Sequence, residues 1–239
     1  MKSLLVILVL AATNPESVRT LSGKATSLEG KTLYELVQKE TWRNGRWSQR
    51  SVSGRQMDGR EVFSQEITPG VTPAVPNITM RYNNSSKGFS VKWVNGGVVM
   101  RHTDENGKTT ENTLSSPPKH LVGPGGILAA IRAGWHELTS GKTLQWSMVI
   151  PPKANAYSVR MVPQGIEKLG GREALKVTLE ADSWLVRLLA PSTDFWIDTE
   201  LKSTLRYRGP GATANQSGNP EEVFIRFKAP LLPVVAPGH

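Results

Sequence analysis

Two-residue turn signals placed between alternating segments constrain the fold of this chain most strongly. Asn44-Gly45 and Asp58-Gly59 are typical of type I′ turns, because both central residues of that turn need a positive φ. Apolar and polar residues alternate between such turns, as at Phe89, Val91 and Trp93. This alternation indicates strands with one buried and one solvated face, whereas a parallel sheet covered on both sides gives continuous apolar runs. The sequence therefore predicts antiparallel hairpins.

One segment, Gly126–Leu138, has helical periodicity instead. Its apolar residues fall on one helical face: Ile127, Ile131, Trp135 and Leu138. Such a stripe has to be buried, and the concave face of a curved sheet is the natural place for it. We therefore predict a mainly β fold, a large curved antiparallel sheet or incomplete barrel of roughly a dozen strands wrapped on one amphipathic helix. A second apolar run, Trp184–Leu189, fits either a central strand or a helical turn.

The first residues are typical of an export signal. Met1-Lys2 is followed by the apolar run Leu4–Ala12, which fits the core of a signal peptide and is shorter than the roughly 20 residues of a membrane-spanning helix. A buried first strand is the alternative. We predict a signal peptide at 1–12, a linker at 13–30, a single β domain at 31–230 and a Pro-rich tail at 231–239. The predicted location is periplasmic or secreted.

Composition limits the chemistry of the chain. Its 239 residues include no cysteine, which excludes disulfides, thiolate metal sites and thiol nucleophiles. The net charge of +9 favours anionic partners, including peripheral contact with an anionic membrane, although solubility alone is the simpler explanation of it. The basic residues are scattered singly without a recognition helix or an aromatic RNA-binding motif, so we predict no nucleic-acid partner.

The candidate catalytic and metal-binding residues are sparse. His102-Thr103-Asp104 places two metal-ligand types on one strand face but lacks a third with suitable spacing. His136 and Glu137 are adjacent on the predicted helix and do not share a face, and the chain has no G-x-S-x-G elbow. We predict no metal, no cofactor and no catalytic residue. A hydrolase that uses His136 or His102 beside a carboxylate is the enzymatic alternative.

Residues 134–228 contain a distinctive order of motifs. They are Gly134-Trp135-His136-Glu137-Leu138, Ser140-Gly141-Lys142, Ile150-Pro151, the run Glu180–Pro191, Phe195-Trp196-Ile197-Asp198 and Leu205-Arg206-Tyr207-Arg208-Gly209. This order resembles a family of exported bacterial proteins known only as a domain of unknown function. More remotely, the whole plan is similar to the periplasmic lipoprotein carriers, in which a curved antiparallel sheet wraps helices around an apolar cavity. The resemblance implies a comparable sheet and supplies no catalytic residues.

The leading functional hypothesis is a non-enzymatic exported protein that binds a lipid or another amphiphilic ligand, with a lipid or a lipidated protein as its partner. The residues expected to line the concave face are Met80, Trp93, Trp135, Trp146 and Met148. The alternative is a structural or interaction protein of the cell envelope with a solid core. In that case Trp42 and Trp47, which flank the Asn44-Gly45 turn, would oppose each other across the hairpin and form a contact surface.

Overall fold

Fifteen strands form a single sheet in the computed structural model, which describes residues 16–83, 85–187, 192–214 and 220–228. The first eight are β1 (Glu16–Ser27), β2 (Thr32–Arg43), β3 (Arg46–Arg55), β4 (Glu61–Thr72), β5 (Val75–Tyr82), β6 (Gly88–Val94), β7 (Gly97–Thr103) and β8 (Thr109–Leu114). The others are β9 (Leu121–Val122), β10 (Leu144–Ile150), β11 (Asn155–Leu169), β12 (Arg172–Ala181), β13 (Thr193–Asp198), β14 (Thr204–Ala214) and β15 (Pro220–Phe227). The helices are α1 (Ile127–Ala133), α2 (Trp135–Thr139) and α3 (Trp184–Arg187), with a 3₁₀ turn at Pro151–Lys153.

The sheet is a continuous meander whose first and last strands meet in its middle. Strand β1 pairs with both β2 and β15, while β8 and β9 form the two edges. Strands β9 and β10 are parallel, and the other pairs of the described residues are antiparallel. The predicted class is therefore confirmed: a mainly β protein with one large curved antiparallel sheet that does not close into a barrel.

The sheet curves far enough for its two ends to pack against each other. Leu121 of β9 and Val149 of β10 are buried in one cluster with Ile78, Val91 and Met100 from strands β5, β6 and β7. The backbone N–H of Gly123 also donates to the carbonyl of Ala74, at 2.8 Å. These contacts fix the curvature that gives the sheet a concave face.

The predicted single helix is two short helices. Helix α1 ends at Ala133 and α2 begins at Trp135, because Gly134 has a non-helical ψ of 25°. Gly134 is buried, and a Cβ there would overlap the side chain of Leu144. The apolar stripe is buried as predicted, with Ile131 and Leu138 inside the cluster formed with strands β11 to β13. None of the described helices has the length and hydrophobicity needed to cross a membrane.

The interpretation of residues 13–30 as a linker is wrong where the structure describes them. Residues 16–27 form β1, whose backbone is paired on both sides. Its buried inward positions are Leu21, Gly23, Ala25 and Ser27, so Leu21 is the one large apolar residue among them and the alternation is hard to recognise. With the two-residue β9, this strand raises the count from the roughly a dozen expected. The predicted signal peptide and tail, 1–12 and 231–239, lie outside the described residues.

Candidate functional site: a cavity between the sheet and helix α1

A cavity of about 520 Å³ lies between the concave face of β1 to β5 and helix α1. Helix α1 contributes Ile127, Leu128 and Arg132 to its wall. Because the buried stripe of α1 packs on strands β11 to β13, the helix covers one half of the concave face. The other half, opposite β1 to β5, is left open.

The register of the first four strands arranges the lining residues in rows across the sheet. One row consists of Arg19, Glu40, Arg50 and Ile67, each paired with the next. Its first three residues are charged. The next row, two residues further along each strand, consists of Leu21, Gln38, Val52 and Gln65. The third consists of Gly23, Leu36, Gly54 and Phe63. Since a strand rises about 3.4 Å per residue, the wall changes from charged to apolar over roughly 14 Å.

The apolar end is packed by large side chains that use the space above two glycines. A Cβ at Gly23 would lie 2.5 Å from Leu36 Cδ1, and a Cβ at Gly54 would lie 2.7 Å from Phe63 Cδ1. Phe63 also makes an edge-to-face contact with Tyr34, with ring centroids 5.8 Å apart. The alternation of glycine with Leu or Phe therefore lets the two large side chains lie flat on the sheet.

Three tyrosines line this end, and burial raises the pKa of each. Desolvation is the largest cause for Tyr34, Tyr82 and Tyr207. The hydroxyl of Tyr207 donates to the carbonyl of Pro210 at 2.9 Å, and that of Tyr34 accepts from the backbone N–H of Ala212 at 3.2 Å. The first bond lies within β14, and the second holds the β14 wall of the cavity against β2.

The charged end contains three guanidinium groups and a single carboxylate, those of Arg19, Arg50, Arg132 and Glu40. Arg50 Nε lies 3.0 Å from Glu40 Oε1, with only 17% and 11% of the two side chains exposed. Gln38 Nε2 donates to the same oxygen at 3.1 Å. The guanidinium of Arg50 also lies 5.6 Å from the ring centre of Trp47. Glu40 and Arg50 are therefore fixed in place by each other and by their neighbours.

Arg19 has no comparable partner. Its Nε and Nη2 atoms are buried and make no hydrogen bond within the part of the chain that the structure describes. Such donors are costly, because a buried N–H group without a hydrogen bond retains its desolvation penalty. The Oγ of Ser203, which also lines the cavity, is likewise buried without a hydrogen-bond partner among the described residues. The charged end thus has unused donors.

Arg132 approaches the same end from helix α1. Its Nε donates to the carbonyl of Lys202 at 2.8 Å. Burial lowers the pKa of Arg132; Glu40 opposes this shift, while the positive charges of Arg50 and Arg19 add to it. An arginine remains charged in proteins all the same. The positive charge at this end therefore exceeds the negative charge.

Two of the five predicted site residues line the cavity. Met80 and Met148 belong to its wall. Trp93 packs in the cluster that joins the two ends of the sheet. Trp135 and Trp146 pack in the cluster beneath the helices, where Trp146 meets the ring of His120 edge to face at 5.7 Å. The three tryptophans support the cavity from its surroundings and do not line it.

The other singled-out residues lie away from the cavity. His136 is exposed on α2, and neither His136 nor His102 lines the cavity. No group of three acidic or histidine side chains within the described ranges is arranged to hold a metal ion.

Trp42 and Trp47 are directly paired across β2 and β3, as predicted. Trp42 is 36% exposed, whereas Trp47 is half-buried beneath Arg50.

Sequence reasoning missed the charged end altogether. Arg19 falls in the segment interpreted as a linker, Arg50 is one of the basic residues described as scattered singly, and Glu40 is not singled out. The available signal was parity: Arg19 has the same parity as Leu21, Gly23 and Ala25, so it shares their inward face. This pattern is recognisable only if small residues such as glycine and alanine are also counted as inward-facing.

No protein-family model matches the sequence, and no curated protein matches it. Solved structures do. A beta-barrel-like protein of the domain of unknown function DUF1849 from Brucella abortus is similar over 90% of this chain and 95% of its own, with 10% identity and a TM-score of 0.49. A DUF1329 family protein from Desulfovibrio piger covers 94% and 88%, with 9% identity and a TM-score of 0.29.

A third similar structure is a domain assigned to outer membrane lipoprotein sorting, from Vibrio parahaemolyticus. It covers 92% of this chain and 86% of its own, with 6% identity and a TM-score of 0.28. The resemblance stated from the sequence was to a bacterial domain of unknown function and more remotely to lipoprotein carriers, and structures of both descriptions are among those similar to this chain. The likeness concerns architecture, and the function proposed below depends on the cavity's own residues.

Proposed function

We propose that this protein is a non-enzymatic, exported binding protein that holds an apolar or amphiphilic ligand, a lipid or an acyl chain, in the cavity beneath helix α1. The observation that carries the proposal is the unfilled volume of the cavity. About 520 Å³ stays open between the sheet and α1, where a structural protein would fill the concave face with side chains. Ligand cavities typically measure about 300–1,000 Å³ and are mostly apolar with a few placed polar groups.

The lining suits such a ligand. Aromatic and aliphatic side chains form most of the wall, among them Tyr34, Leu36, Phe63, Phe195 and Phe227. Burying an alkyl chain against such a wall contributes roughly 0.8 kcal/mol per CH₂ group. Gly125, Arg132 and Pro210 line the cavity and are also exposed, which gives a ligand a path from the surface.

Native mass spectrometry of the purified protein tests the proposal, together with a matched pair of variants. Val52 lines the cavity from β3, whereas Val37 on the adjacent β2 is 38% exposed and faces away from it. We expect the unmodified protein to retain a lipid or acyl compound, and Val52→Phe to lose it by filling the space. Val37→Phe should retain it, because the same change is made on the outer face.

Two results would contradict the proposal. A protein that neither carries a lipid nor binds the neutral probe N-phenyl-1-naphthylamine would show that the cavity has no affinity for apolar ligands. Equal retention in Val52→Phe and Val37→Phe would place the ligand elsewhere. Circular dichroism spectra of both variants should match that of the unmodified protein, which establishes that the comparison concerns binding.

A further inference from the structure

We propose that the charged end of the cavity is a subsite for an anionic headgroup, so that the ligand is an amphiphile with a carboxylate or phosphate at one end of its chain. Arg19, Arg50 and Arg132 would hold the anion, while the alkyl chain extends over the Leu36 and Phe63 row. This inference rests on the proposed function and names the class of ligand.

The first argument is the imbalance of charge. Every ionisable arginine and carboxylate side chain of the lining lies at this end, and three guanidinium groups face one carboxylate. Glu40 is already engaged by Arg50 and Gln38. It therefore neutralises Arg50 and leaves the charges of Arg19 and Arg132 without a carboxylate in the described lining.

The second argument is the unused donors. Arg19 Nε and Nη2 are buried and unbonded among the described residues. They belong to a planar group whose donors match the two oxygens of a carboxylate or phosphate. Ser203 Oγ supplies a further buried hydroxyl in the same lining. A headgroup that accepts from these groups would remove a desolvation penalty that the ligand-free protein retains.

The third argument is the distance between the two ends. The Arg19–Glu40–Arg50 row and the Gly23–Leu36–Gly54–Phe63 row are four residues apart along their strands, which corresponds to roughly 14 Å. An alkyl chain rises by little more than 1 Å per carbon, so a headgroup held at the first row places a long chain across the second. A short or compact anion would reach only the charged row.

Displacement of N-phenyl-1-naphthylamine from the lipid-stripped, full-length protein tests this inference. The competitors are tetradecanoate, tetradecyl phosphate and the neutral 1-tetradecanol, which share one chain. We expect both anions to bind on the order of tenfold more tightly than the alcohol, the effect of one charge-assisted hydrogen-bonded pair. The ratio should fall as salt is added, because screening weakens the exposed part of the field around Arg132.

Two charge-removing variants locate the subsite. Arg19→Gln should reduce the preference for the anions over 1-tetradecanol several-fold. Arg132→Gln, at the exposed rim, provides a second test should the first variant fold poorly. Lys24→Gln is the control, because Lys24 lies exposed on the outer face of the same strand as Arg19 and its removal should leave the ratio unchanged.

The outcomes separate this inference from the proposed function. Equal binding of the three competitors would overturn the headgroup subsite and leave the apolar cavity standing. Binding of none of them would overturn both. If acetate or inorganic phosphate bound as tightly as the long-chain anions, the site would recognise a free anion, and the assignment to an amphiphile would be wrong. If Lys24→Gln changed the ratio of anion to alcohol affinity as much as Arg19→Gln does, the preference would come from the net charge of the protein and not from a subsite.

Discussion

Arg19 and Glu40 lie directly opposite each other on β1 and β2, yet among the described residues they form no ion pair. The Glu40 carboxylate instead accepts from Arg50 at 3.0 Å and from Gln38 at 3.1 Å. Arg19 keeps two buried nitrogens without a hydrogen-bond partner in the same part of the chain. The ligand-free protein therefore keeps two unsatisfied buried donors at the wall of its cavity, which is typical of a binding site that is prepared for its ligand.

Arg19→Met should stabilise the ligand-free protein. The substitution keeps an unbranched chain of similar length and removes a charge that has no compensating partner, so we expect the free energy of unfolding to rise by about 1 kcal/mol. Urea denaturation followed by tryptophan fluorescence measures the change. The same variant should lose its preference for anionic amphiphiles, so stability and binding move in opposite directions.

Arg50→Met is the matched comparison on the same row. It removes the partner of a nearly buried carboxylate, so we expect the free energy of unfolding to fall by roughly 2 kcal/mol. Equal losses of stability in Arg19→Met and Arg50→Met would contradict the distinction drawn between the two arginines. That result would mean that the packing of the Arg19 side chain outweighs the cost of its charge.

Gly54→Ala should destabilise the protein by about 1–3 kcal/mol, because the new methyl group overpacks the core. A Cβ at this position would lie 2.7 Å from Phe63 Cδ1, and the ring is itself buried. The double variant Gly54→Ala with Phe63→Leu should recover part of this loss, since the smaller side chain leaves room for the methyl group. Additive losses in the double variant would show that the two residues do not interact.

The sequence predicted the hairpins of the sheet and the buried helical stripe well. The Asn44-Gly45 turn does join a hairpin in which Trp42 and Trp47 pair, and the stripe containing Ile131 and Leu138 is buried. These elements are local: a turn type or a helical face is determined by residues close together in the chain. The break at Gly134 was not predicted. The close approach of Leu144 to Gly134 is a tertiary contact that no local pattern contains.

The charged end of the cavity was unpredictable for a different reason. On β2 the inward residues are Tyr34, Leu36, Gln38 and Glu40, so the inward face changes from apolar to polar along one strand. Alternation identifies a buried face only while that face stays apolar. A functional wall that turns polar therefore looks like a solvated strand end, and its charges resemble surface charges until the register of three strands brings them together.

Asp198 controls the turn that holds Arg132, and its replacement should affect both stability and binding. Its Oδ1 accepts from the backbone N–H of Glu200 and Leu201 at 2.9 and 2.7 Å. Arg172 Nε lies 2.6 Å from the other oxygen in an ion pair. Asp198→Ala should lower the free energy of unfolding by about 2–3 kcal/mol and weaken the binding of tetradecanoate, because the Lys202 carbonyl that accepts from Arg132 belongs to this turn.

Asp198→Asn is the control for that prediction. The amide oxygen can still accept from the two backbone N–H groups, while the ion pair with Arg172 is lost. We expect a loss of stability of about 1–3 kcal/mol, because the carboxylate is buried, and nearly unchanged binding. If the Asn variant bound tetradecanoate as weakly as the Ala variant, the charge of Asp198 would matter more than the turn that it caps.

The three cavity tyrosines should make the protein less stable as the pH rises above about 10. Burial raises the pKa of Tyr34, Tyr82 and Tyr207 in the folded state, with the largest shift at Tyr207. A raised pKa means that the folded protein holds these protons at a pH at which the unfolded chain has released them. Their contribution to stability is therefore complete below the unfolded pKa and is lost as the pH rises towards the folded one. Urea denaturation between pH 8 and pH 11 should show the decline, and Tyr207→Phe should flatten it. An equally steep decline in Tyr207→Phe would mean that other groups control the alkaline limit.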